Sequence, residues 1–184
     1  SNDDYDYNWV DISEIGDIYN FPNNDQSGES LSVGFDFPFY GENYSSLIVN
    51  PNGWVGFGDD NNAWDNTNIP STDAPLSAIF GLWDDLNPVN DNCNSYCSGN
   101  VYTHANADRF VIWFNEVAHW WTNFEDSYYD FQIVIYSNGD IDVNYNSLTG
   151  NHDATIGIQN STGTDGIQVS IGSGYANDEK SLLF

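Results

Sequence analysis

Phe131-Gln132-Ile133-Val134-Ile135-Tyr136-Ser137-Asn138-Gly139-Asp140-Ile141-Asp142-Val143-Asn144-Tyr145 reads as two strands joined by a tight turn. Phe131, Ile133 and Ile135 alternate with Gln132, Val134 and Tyr136. Ile141, Val143 and Tyr145 resume the alternation after the turn. Side chains repeating every second residue share one face of a strand, so each arm presents one face to a core. Asn138-Gly139 is the preferred pair of a two-residue type I′ turn, in which both residues take positive φ.

The same reading extends in both directions. Short alternating or apolar runs separated by turn residues predict strands over Asn8 to Ile12, Ser30 to Phe39, Ser46 to Val49, Gly53 to Gly58 and Ser77 to Trp83. Further strands are expected over Asn100 to His104, Arg109 to Val117, Tyr129 to Tyr136 and Ile141 to Tyr145. The series ends with Ala154 to Gln159, Ile167 to Ile171 and Ser181 to Phe184. Thr164-Asp165-Gly166 reads as a second tight turn. No segment sustains an apolar repeat at helical spacing. The expected fold is all-β, an antiparallel two-sheet β-sandwich with little helix. Residues 1–184 read as one domain, since 184 residues suit a single full core.

Charge bounds the function. Against 28 Asp and Glu stand two basic residues, Arg109 and Lys180, for a formal net charge of −26. Nucleic acid binding is excluded, because no basic surface can replace counterions on phosphate. Anionic membranes repel such a chain, and no apolar run is long enough for membrane insertion. Two carboxylates ~10 Å apart in water repel by roughly 0.4 kcal/mol before screening. Salt, divalent cations or wide spacing must relieve many such pairs. The 30 aromatic residues (7 Trp, 12 Tyr, 11 Phe) nonetheless supply a core that a disordered acidic tail lacks. The chain opens at Ser1 in polar sequence and reads as a mature or excised segment.

Acidic loops are the candidate metal sites. Asp84, Asp85 and Asn87, with Asn90, Asp91 and Asn92, follow an apolar run, and Asp59-Asp60 follow Gly58. Calcium takes six to eight hard oxygens, which such loops can supply; turn hydrogen bonding by the same side chains is the alternative. The spacing is not that of an EF-hand. Cys93 and Cys97 cannot form a structural zinc site alone and read as a disulfide of an oxidising compartment, with two free thiols as the alternative. Trp64, Trp120, Trp121 and Tyr128, in or beside loops, are candidate ligand-binding aromatics for a glycan or a protein; the alternative is a lid on the sandwich edge. Asn43 and Asn160 fit the N-glycosylation sequon. His104, His119 and His152 are scattered, with no His-Glu-x-x-His and no nucleophile elbow. No catalytic residue is identified, and the chain is not expected to be an enzyme.

The order of several motifs resembles a known family. Phe35-Asp36-Phe37-Pro38-Phe39-Tyr40-Gly41 precedes Tyr44 and Ile48-Val49-Asn50-Pro51-Asn52-Gly53-Trp54-Val55-Gly56-Phe57-Gly58. Ile79-Phe80-Gly81-Leu82-Trp83-Asp84-Asp85-Leu86 follows, then Arg109 to Asn115, the hairpin, and Ala154 to Asn160. This resembles nidogen-like extracellular domains and a related bacterial β-sandwich module found on surface proteins and secreted peptidases. The resemblance covers roughly Ser30 to Ile171. The sandwich is expected to be of jelly-roll or nidogen-like type, and the resemblance implies a non-catalytic module that is secreted or at the cell surface. Three functions follow as expectations: a structural or adhesive module, stabilised by calcium and self-associating or binding a surface partner; a carbohydrate-binding module; or an accessory domain of a secreted peptidase.

Overall fold

The hairpin forms with its loop one residue longer than Asn138-Gly139 alone. In the computed structural model, which describes residues 6–58, 62–89, 98–120 and 127–184, Tyr136 N–H donates to Asp140 O at 3.0 Å and Gly139 N–H to Tyr136 O at 2.9 Å. Gly139 has φ +98° and Asn138 is not left-handed, so the type I′ expectation is corrected. The reason is register. Ile135 pairs with Ile141 and Ile133 with Val143, which keeps the apolar residues of both arms on one face. A two-residue loop would pair Ile135 with Asp142 and turn the returning face outward. A three-residue loop with a left-handed glycine preserves the match.

The described residues form twelve strands: β1 Asp17–Tyr19, β2 Leu31–Phe39, β3 Glu42–Asn50, β4 Trp54–Gly56, β5 Ala78–Trp83, β6 Asn100–Ala105, β7 Arg109–Ala118, β8 Tyr128–Tyr136, β9 Ile141–Thr149, β10 Thr155–Gln159, β11 Gly166–Ile171 and β12 Lys180–Leu183. They form two six-stranded antiparallel sheets, ordered β1-β6-β7-β8-β9-β12 and β11-β10-β5-β4-β3-β2. The expected β-sandwich is the observed architecture. Among the described residues there is no helix, and hence none long and apolar enough to cross a membrane.

Inward residues of both sheets, including Val33, Phe37, Ile79, Leu82, Phe114, Phe131, Ile133 and Tyr145, form the main core. Phe114 and Phe131 stack at 4.5 Å between centroids. The sheets approach closely at Gly81, where an added Cβ would sit 2.7 Å from Ile133 Cγ1. There the Tyr145 hydroxyl crosses the sandwich and donates to Gly81 O at 2.7 Å.

Each sheet is also covered on its outer face. Asn8 to Ile12 runs over the first sheet as extended chain instead of forming a ladder strand. Side-chain amides replace the ladder: Val10 N–H donates to Gln132 Oε1 at 3.1 Å, and Gln132 Nε2 donates to Val10 O at 2.7 Å. Asn144 Nδ2 donates to Asn8 O at 3.0 Å. Val10 and Ile12 then pack on Val111 and Val134. The ladder position at that sheet's edge goes instead to β1, whose three residues carry too little alternation to be read from sequence. On the second sheet, Trp54, Phe80 and Trp83 lie with Ile69, Ala74 and partly buried Ala63 under the chain that links β4 to β5. Burial on both faces explains why β5 is a continuous apolar run.

Candidate functional site

The link between β4 and β5 is tied down at one carbonyl. Trp54 Nε1 and Trp83 Nε1 both donate to Ala63 O, each at 3.0 Å. The next residue, Trp64, is 48% exposed, while Trp54 and Trp83 are buried. The two buried indoles thus hold the base on which an exposed indole stands.

A second exposed indole reaches the same place from the other sheet. After β7, His119 bridges to Leu86, Asn87 N–H donates to Ala118 O at 2.9 Å, and Trp120 N–H donates to Asp85 O at 2.8 Å. This short antiparallel contact, across the end of the sandwich, presents Trp120 at 50% exposure. Trp64, Trp120, Asp85, Asn24 and Asp25 line one recess of about 210 Å³. Asn24 and Asp25 arrive through the Asn50–Asn52 corner: Asn50 Nδ2 donates to Asp25 O at 3.0 Å, and Asn52 Oδ1 accepts from Leu86 N–H at 2.9 Å.

The adjacent carboxylates, Asp84 and Asp85, have opposite environments. Asp84 is buried, with Oδ1 accepting from Asp85 N–H at 2.9 Å and Oδ2 from Asp153 N–H at 2.8 Å; His119 Nε2 lies 3.4 Å from Oδ1. Burial would raise its pKa, but the His119 hydrogen bond and the two backbone donors outweigh it and hold the carboxyl below the usual range. Asp85 is half-buried, and its carboxylate accepts no hydrogen bond from any described residue. Burial, opposed by His119 and reinforced by Asp25, Asp84 and Asp65, pushes it up to about 6. Behind this pair, Tyr129 meets the rings of His119 and His152 edge-on. Burial lowers the pKa of His152, against the pull of Asp84 and Asp153.

Of the residues expected to hold metal, the structure brings Asp84 and Asp85 side by side with their carboxylates in different uses. Asn87 Oδ1 accepts from Val89 N–H at 3.2 Å, a local turn bond. Asp59, Asp60 and Asp91 lie outside the described residues, as do Asn90, Asn92, Trp121, Cys93 and Cys97. Among the described residues, no three His, Cys, Asp or Glu gather in a way that could hold a metal ion. Trp64 and Trp120 are brought together, whereas Tyr128 lines a separate recess with Glu116, Asp130, Ser147 and Thr149. Asn43 is exposed on β3. Asn160 turns its Oδ1 to the backbone N–H groups of Thr162, Thr164 and Asp165. Asn24 and Asp25 were not among the sequence candidates; their Asn-Asn-Asp run signals only a turn.

The sandwich and its motifs have a counterpart among known families. The family model described as NIDO related matches residues 3–180. No curated protein and no solved structure matches the chain. With nearly all of its length matched, the chain belongs to the NIDO-related family.

Proposed function

We propose that this domain is a non-catalytic extracellular module that works by binding, as a structural or adhesive element of a cell-surface assembly. The observation that carries the reading is the Trp64–Trp120 recess. Two tryptophans stand half exposed at one end of the sandwich; among the other described aromatics only Tyr7 and Tyr40 are exposed. Exposed aromatics over a recess mark a binding surface, since solvent contact of that size is costly without use. The extracellular location rests on membership of the NIDO-related family.

Calcium enters this reading as a stabilising ion of the acidic loops, relieving charge where modules meet. A carbohydrate-binding module is the second reading, supported by the same two indoles, since sugar faces stack on exposed tryptophan. The W64A/W120A double variant tests the binding role. Wild type and variant are compared on arrayed glycans and, for self-association, by sedimentation with calcium and with EDTA. The expected result is a binding or association event that the variant loses while keeping its melting temperature. Equal behaviour of the two proteins in every assay would sink the proposal.

A further inference from the structure

The recess has a chemistry more specific than exposed aromatic surface. Two indoles border it, and the π faces of tryptophan attract cations better than those of any other side chain. Two carboxylates, Asp25 and Asp85, share its lining. Asp85 is half-buried, and no described residue donates a hydrogen bond to its carboxylate. Asp25, Asp84 and Asp65 add negative potential at Asp85, and His119 opposes them. At about 210 Å³ the space suits the end of a side chain; drug-sized ligands usually need ~300–1,000 Å³.

We propose that this recess receives an organic ammonium group, as presented by a lysine side chain of a partner protein. The assignment rests on the reading of the recess as a binding site and adds the class of its ligand. Two tryptophans beside a half-buried carboxylate suit a compact cation carrying a short apolar stem. A sugar hydroxyl can donate to Asp85 but leaves its charge unneutralised, whereas an ammonium group donates and neutralises it. Neither Lys180 nor Arg109 supplies this cation. The chain's single lysine, Lys180, donates to Tyr175 O at 3.0 Å and lies 3.4 Å over the Tyr175 ring. Its single arginine, Arg109, opens β7 opposite Tyr136, at the hairpin. The surrounding charge of −26 steers a basic partner inward and repels a second copy of this chain.

The test follows the indole N–H resonances of the seven tryptophans in ¹⁵N-labelled protein, in EDTA, assigned with W64F and W120F. The probes are N-acetyl-lysine methylamide, its uncharged analogue N-acetyl-norleucine methylamide, and cellobiose. The lysine probe is expected to shift the Trp64 and Trp120 signals saturably, while Trp54 and Trp83 stay still and norleucine has no effect. D85N should weaken the lysine response about tenfold, with unchanged Trp54 and Trp83 signals showing that the fold is intact. A norleucine response equal to that of lysine, or no effect of D85N, overturns the proposal. If cellobiose shifts the two signals and lysine does not, the recess remains a binding site and the ammonium assignment falls. If no probe moves them, both fall.

Discussion

Trp54 and Trp83, on neighbouring strands of one sheet, donate to a single acceptor, the carbonyl oxygen of Ala63, each at 3.0 Å. One carbonyl oxygen has two lone pairs, and here both are used by indoles that also supply the outer hydrophobic cluster. The position of Trp64 is thereby set by two residues that never reach the surface.

Removing either donor should loosen this link. W54F or W83F is expected to cost about 1–3 kcal/mol, from one hydrogen bond and the smaller ring. Their double variant should raise hydrogen exchange over residues 62–66, read by mass spectrometry. Unchanged exchange in the double variant would show that the clamp does not position Trp64.

The close approach of the sheets at Gly81 makes a second prediction. Gly81→Ala places a Cβ against Ile133 and should destabilise the domain by about 1–3 kcal/mol. Tyr145→Phe removes the cross-sheet hydrogen bond and should cost about 1 kcal/mol. Urea melts with an unchanged m-value would assign both losses to the native packing.

At Val10 the chain over the first sheet is held by the Gln132 amide. Gln132→Glu replaces the donor to Val10 O with a carboxylate buried in the same place. A loss of about 2–4 kcal/mol is expected, with faster proteolysis near residues 8–12. Resistance equal to wild type would show that the segment is held by Val10 and Ile12 packing alone.

Acidity should act through Asp85 and His152 in opposite directions. Asp85 is raised from 3.8 to about 6 in the folded state, chiefly by burial. Folding therefore favours its protonated form, and the contribution present below pH 4 is lost as pH rises through 6. His152 is lowered by burial, so its contribution is present above pH 6.5 and is lost as pH falls through its folded value. Thermal melts from pH 4 to 8 should show D85N gaining on wild type as pH rises. H152Q should lose less than wild type on acidification. Parallel curves would refute both assignments.

Calcium makes a further prediction of the proposed function. Millimolar calcium should raise the melting temperature beyond sodium chloride of matched ionic strength, and EDTA should remove the excess. Equal shifts would reduce the effect to screening of the net charge.

Alternation by itself determined most of the strands, because a period of two is a local property that burial on one face writes into the chain. It also held the hairpin's true loop length: the match of Ile135 with Ile141 requires three residues, although Asn-Gly suggested two. The core role of Trp54 and Trp83 was legible from the apolar runs around them, and the half-exposed Trp64 and Trp120 from their polar surroundings. Only the tertiary structure decided what these residues do together. Residues 24–25, 64, 85 and 120 lie on four separate segments, and their meeting depends on Asn50, Asn52, Ala63 and the Leu86–His119 bridge. The same holds for Asn8 to Ile12, whose backbone is satisfied by Gln132 and Asn144 amides more than 100 residues away. Sequence periodicity reports which face a side chain takes; it carries no record of which distant donor will answer a carbonyl or leave a carboxylate unanswered.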